Sequence, residues 1–135
     1  MIRVLVDTDV CLDLLANRQP FALAAANLFS LADRRELIIT ISSLTFSHLH
    51  YLLSKTYSRD QARKKLTQFK TLVSVLAVDD KVIEMALQSD FKDFEDAIQY
   101  YTALRHGVDI LLTRNIKDYK SAQITVLTPE AFLSK

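Results

Sequence analysis

Apolar residues gather along this chain in five short runs, Ile2–Val6, Leu37–Ile41, Val73–Val78, Asp109–Leu112 and Ile124–Leu127. Short continuous runs of this kind predict strands buried on both faces. Between them the apolar residues recur at three- and four-residue spacing, as in helices that bury one stripe. Thr8 to Leu15 shows this with Val10 and Leu14, Cys11 and Leu15, and closes at Asn17. Pro20 fits the first turn of a second helix, running to about Arg34, with Ala25, Leu28, Phe29 and Ala32 as its stripe. Ser42 or Ser43 is placed to cap a helix from Leu44 to about Tyr57. Ser58 and Gln61 form a capping box for a basic helix ending near Leu72. Asp79 or Asp80 caps Val82–Ser89. Asp93 with Asp96 opens a helix that runs to His106 and stops at Gly107, where a left-handed residue is cheap. Thr128-Pro129-Glu130 opens a last short helix.

Strands alternating with helices predict an α/β fold: a mostly parallel five-stranded sheet with helices on both faces, as one three-layer domain over 1–135. The single Gly and two Pro, with no Ser/Gly-rich stretch, argue for regular elements joined by short loops. Lys and Arg number 17 against 16 Asp and Glu, so any nucleic-acid binding has to come from a local patch. Cys11 is the only cysteine, which excludes an intramolecular disulfide and a Cys-based metal centre. Asp7 interrupts the opening apolar run too early for a leader peptide, and no stretch approaches the ~18 apolar residues of a membrane span. The expectation is a cytoplasmic protein that does not engage a membrane.

In open α/β sheets, sites form outside the carboxyl ends of the strands. Asp7 ends the first predicted strand, the fourth runs into Thr113-Arg114-Asn115-Ile116-Lys117-Asp118, and Asp96 falls in the first turn of a helix. Three carboxylates brought together repel one another without a cation, and hard oxygen ligands in that number suit Mg²⁺ or Mn²⁺. Such ions activate water and offset charge on a phosphodiester, so the implied reaction is phosphoryl hydrolysis. Each acid also has a plainer reading. Asp7 is then an ordinary strand-ending cap, Asp96 the partner of Asp93 in a capping box, and Asp118 a solvated loop acid. Asp9 reads as a first-turn helix acid and Asp13 as a surface residue.

Three segments resemble the PIN-domain family, in order and at matching spacing from Met1 to about Leu133. Val4-Leu5-Val6-Asp7-Thr8-Asp9-Val10 resembles its opening strand and Asp-Thr-Asn/Ser motif. Asp93-Phe94-Glu95-Asp96-Ala97 resembles its third motif, and Leu112-Thr113-Arg114-Asn115 through Asp118-Tyr119 its closing segment. The resemblance implies a metal-dependent endoribonuclease of the toxin-type, VapC-like branch, with RNA as substrate, a small antitoxin protein as partner and a homodimer as the common assembly. It assigns the metal to Asp7, Asp96 and Asp118, with Asn115 and Thr113 in support.

One position departs from the family. Most members place a Glu early in the helix after the second strand, where this chain has His48. An imidazole supplies no negative charge and is a poorer magnesium ligand than a carboxylate. Either His48 is a metal ligand, with Glu95 or Asp9 making up the charge, or it packs between Leu44 and Leu52. His50 and His106 read as surface or helix-end residues. Arg114 and Lys117 flank the site and are the candidates for phosphate contacts. Arg59, Arg63, Lys64, Lys65 and Lys70 read as the solvated face of one helix, and Tyr100 and Tyr101 as core.

Two other functions compete with this one. The departure at His48 suits a PIN fold that no longer cuts and serves as an RNA- or protein-binding module. Asp7-Thr8-Asp9 also satisfies the Asp-x-Asp of haloacid-dehalogenase-like phosphatases, although Pro20 follows too soon to leave room for that family's flap.

Overall fold

The central apolar runs carry enough β-branched and aliphatic residues to be covered on both sides, and they pair directly with one another. A computed structural model describes residues 1–119 and 123–135. Its strands are β1 Arg3–Val6, β2 Ile38–Ser42, β3 Val73–Leu76, β4 Ile110–Leu112 and β5 Thr125–Leu127. Its helices are α1 Thr8–Leu15, α2 Ala22–Asp33, α3 Ser43–Thr56, α4 Arg59–Lys70, α5 Asp80–Leu87, α6 Phe94–Arg105 and α7 Pro129–Leu133. All four strand pairings are parallel, in the order β3-β2-β1-β4-β5, with Val4 beside both Ile39 and Ile110.

Alternation along the strands sends side chains to two cores. Val4, Val6, Ile39, Ile41 and Leu112 point to one side, where α1 to α4 cover them with Val10, Leu28, Phe29, Leu49 and Phe69. Leu5, Leu76 and Leu111 point to the other, against Tyr100 and Ala103 of α6, while Val82 and Ala86 of α5 pack on Ala97 and Ile98. Burial on both faces holds for the central strands but not at the edges. Ser74 and Val75 of β3 and Thr125 of β5 are exposed, because an edge strand is covered on fewer sides.

The caps follow the local chemistry. Ser42, Ser58, Asp79, Asp93 and Thr128 each accept a hydrogen bond from a backbone amide in the first turn of the helix they precede. Pro20 lies before α2, not in its first turn; Phe21 is the N-cap and offers no side-chain bond. Three helices end in one motif. Asn17 (φ 49°), Arg35 (φ 60°) and Gly107 (φ 68°) are left-handed. The next amide in each case, from Arg18, Glu36 and Val108, reaches back to Asp13, Leu31 and Ala103 carbonyls. Nothing lies within 4 Å of where a Cβ on Gly107 would sit, so Gly107→Ala tests the backbone term alone. It should cost about 1 kcal/mol, read as a shift in the urea midpoint at constant m-value.

The chain runs outward from β1 through β2 to β3, then returns to place β4 on the other side of β1. This reversal opens a crevice beyond the carboxyl ends of β1 and β4, the usual ligand position in such sheets.

Candidate functional site

Asp7 and Thr113 are the first residues past β1 and β4, so the parallel pairing of these strands sets them side by side. Thr113 is fully buried, and its hydroxyl donates to Asp7 Oδ2 at 2.9 Å. The Thr8 amide donates to Asp7 Oδ1 at 2.8 Å, which also makes Asp7 the N-cap of α1. Burial pushes the Asp7 carboxyl above its ordinary range, against the lowering effect of the Thr113 hydroxyl and the Thr8 amide.

Asp96 arrives from the first turn of α6, where Asp93 caps its amide at 3.1 Å. The plainer capping reading is therefore right about its backbone, while its carboxylate faces the crevice. Tyr119 Oη donates to Asp96 Oδ1 at 3.2 Å. Burial first, then repulsion from Asp7, Asp93 and Asp118, raises the Asp96 carboxyl to about 7. Asp118 itself is exposed, on a 3₁₀ turn over Ile116–Tyr119 that the apolar pattern did not suggest. Asn115 contributes its backbone amide, which donates to Thr113 Oγ1 at 3.1 Å, and its carbonyl, which accepts from the Asp118 amide at 3.0 Å. The mutual repulsion of these acids is what a hard divalent cation relieves, and the oxygen donors suit Mg²⁺ or Mn²⁺. The set is open: among the described residues no three His, Cys, Asp or Glu side chains are gathered closely enough to enclose an ion.

Residues 3–117 match the family model described as PIN domain. The chain belongs to the PIN-domain family. It is 31% identical to Ribonuclease VapC1 of Aquifex aeolicus (strain VF5), over 98% of this chain and 94% of that one. Solved structures with the same fold include these two. FitAcB from Neisseria gonorrhoeae superposes with a TM-score of 0.72 at 19% identity, covering 94% of this chain and 98% of that one. VapBC2 from Rickettsia felis, bound to a DNA fragment from their promoter, gives 0.70 at 21%, covering 93% and 97%.

Within this PIN domain several residues lie elsewhere than the sequence suggested. Arg114 does not reach freely into the crevice. Its Nε lies 2.9 Å from Asp13 Oδ2, off the ideal hydrogen-bond direction, and its Nη2 donates to Asp13 Oδ1 at 3.3 Å. The guanidinium also sits 3.9 Å from the Phe21 ring centroid. Asp13, expected at the surface, is 1% exposed and takes a second arginine, Arg18, at 3.0 Å. Asp9 leans toward Arg18 as well, at 3.7 Å. α1 starts immediately after Asp7, which leaves no segment for a phosphatase flap. Lys117 is exposed beside the crevice.

His48 is not packed between Leu44 and Leu52. It lines a cleft beside the crevice, with its Nδ1 3.4 Å from Glu95 Oε2, and Leu44 is itself exposed. His50 is half-buried at the surface, and His106 ends α6 with Nε2 3.0 Å from the Ala77 carbonyl. Sequence reasoning missed Gln99. Its Nε2 lies 3.5 Å from Asp7 Oδ1 and 3.0 Å from Thr45 Oγ1, which in turn meets Thr8 and Ser42 hydroxyls at 3.2 and 3.1 Å. The available signal was its position three residues after Asp96, one turn along the same helix face.

Proposed function

We propose that this chain is a divalent-metal-dependent endoribonuclease, the toxin of a toxin–antitoxin pair. The relationship to a full-length ribonuclease of the VapC type supports the reaction class. The observation that carries the site is the pairing of buried Asp7, fixed by Thr113, with Asp96, whose carboxyl is raised to about 7 by burial first and then by repulsion from Asp7 and its other acidic neighbours.

Asp7, Asp96 and Asp118 would hold the Mg²⁺ or Mn²⁺, which when bound activates water and offsets charge on the scissile phosphodiester. The chain's own groups prepare that site. The Thr8 amide and Thr113 hydroxyl fix both oxygens of Asp7, and the Tyr119 hydroxyl fixes one oxygen of Asp96. Gln99 spans from the Asp7 carboxylate to the Thr8–Thr45 hydroxyls. Lys117 is available for RNA phosphates, whereas the Arg114 charge is already taken up by Asp13. A small antitoxin protein is the expected partner, since solved relatives include a toxin–antitoxin complex from Klebsiella pneumoniae.

The deciding experiment is cleavage of RNA by the purified chain with MnCl₂ or MgCl₂ and with EDTA. RNA binding without cleavage in either metal would instead favour a non-catalytic module. The same site has a pH signature. Asp96 has a folded pKa of about 7 against an ordinary 3.8, so between those values the folded state binds more protons than the unfolded one. Stability of the metal-free protein should therefore fall as pH rises from about 4 to about 7 and level off above it. Because the cation needs the ionised acid, the rise in melting temperature on adding MnCl₂ should grow from pH 6 to pH 8. Melting curves with EDTA and with MnCl₂ at each pH check both signs.

A further inference from the structure

The cleft containing His48 and Glu95 has a volume of 400 Å³, room for a nucleobase and part of its ribose. It adjoins the reacting end of β1, because Gln99 borders it and also reaches Asp7 Oδ1. Its walls are partly apolar, from Leu44, Tyr51 and Ile98. Tyr51 is more than half exposed, with Lys55 Nζ over its ring at 4.5 Å, a platform of the kind on which unstacked bases settle.

Beside the hydroxyls of Ser42, Thr45 and Ser47, the polar lining of the cleft includes two acceptor groups. A Glu95 carboxylate offers acceptor oxygens, and His48 Nδ1 lies 3.4 Å from Oε2. Gln99 is 5% exposed, and its Oε1 is buried without a hydrogen-bond partner, a second acceptor lacking its donor. Among the four RNA bases, guanine presents two adjacent N–H donors on its Watson–Crick edge, from N1 and the 2-amino group. That pair matches a carboxylate in the bidentate manner.

We propose that this cleft is a nucleobase subsite that seats a guanine of the RNA strand beside the scissile phosphodiester, read by Glu95 and stacked by Tyr51. The subsite rests on the nuclease reading of the neighbouring carboxylates, and two independent measurements separate them. In the first, the full chain in EDTA is titrated with GMP, AMP, CMP and UMP while NMR follows the His48, Tyr51 and Gln99 signals. GMP should shift these signals and bind about tenfold more tightly than the other three, as expected for one good bidentate pair. In the second, Mn²⁺-dependent cleavage is compared on short RNAs that differ at a single base. Guanine should be preferred, and Glu95→Gln should shrink the guanine-to-adenine ratio about tenfold.

Equal binding of the four nucleotides with base-indifferent cleavage overturns the subsite and leaves the nuclease standing. A guanine preference that Glu95→Gln leaves untouched also overturns it, by placing recognition elsewhere. Selective GMP binding by a chain that cleaves no RNA supports the subsite and overturns the nuclease reading.

Discussion

Asp7→Asn is expected to abolish metal-dependent RNA cleavage while leaving the protein folded and no less stable in EDTA. The amide keeps an oxygen to accept from the Thr8 amide, but it removes the charge that would draw a cation to the end of β1. Metal-assisted catalysis contributes several kcal/mol, so a loss of about 10³-fold or more is the scale to expect. The stability half of the prediction follows from burial. Asp7 is 8% exposed and its carboxyl is held above the ordinary range, so an ionised Asp7 is a strained group in the metal-free protein. A neutral isostere removes that strain, at the cost of a less favourable partner for the Thr113 hydroxyl. Circular dichroism melts with EDTA and with MnCl₂, beside a cleavage time course, decide both halves. The variant should also lose most of the metal-induced rise in melting temperature. Cleavage at the parent rate would place the activity elsewhere.

Much of the sheet and helix order was readable because its signals are local. Continuous apolar runs gave the strands, and the capping residues Ser42, Ser58, Asp79, Asp93 and Thr128 all perform the role their side chains suggest. Gly107 ends α6 because it adopts the left-handed conformation at little cost. Arg35 does the same for α2, and no residue preference marked it, since an arginine reaches that conformation only when the surrounding motif enforces it. Pro20 was misplaced for a related reason: a proline tolerates several turn positions as well as the first turn of a helix.

The site divides along the same line. Asp7, Asp96 and Thr113 stand out because each occupies the end of an element at the point where the strand order reverses. Gln99 does not, since its partners Thr45 and Asp7 are 54 and 92 residues distant in the chain. Only the fold, which brings Gln99 of α6 to the Thr8 and Thr45 hydroxyls at the starts of α1 and α3, makes that amide a member of the site. Arg114 shows the converse error. A basic residue beside a candidate phosphate site suggests a substrate contact, yet the position of its charge depends on an acid 101 residues earlier.

That acid carries the second large expected effect. Asp13→Ala should destabilise the protein by about 3 kcal/mol, the lower end of what breaking a buried ion pair costs, because Arg18 and Arg114 retain some solvent. Asp13 looked like a surface residue because α1 was assumed to bury one stripe. In fact Thr8, Val10, Cys11, Leu12 and Asp13 are all buried, as α2 and α3 pack on it from different sides. Its carboxylate takes Arg18 Nε at 3.0 Å and Arg114 Nη2 at 3.3 Å, so it joins the loop after α1 to the segment after β4. Removing it leaves the Arg114 guanidinium, only 25% exposed, over Phe21 without its counter-charge. The double variant Asp13→Ala, Arg114→Met should then be less destabilised than the two single changes add up to, with a coupling of about 1 to 3 kcal/mol. Urea unfolding of the four proteins measures it. Additive single changes would mean that the pair contributes nothing to holding Thr113, and with it Asp7, in place. A coupling of the stated size would assign Arg114 to the architecture of the site and leave Lys117, among the described residues, as a basic residue exposed beside it.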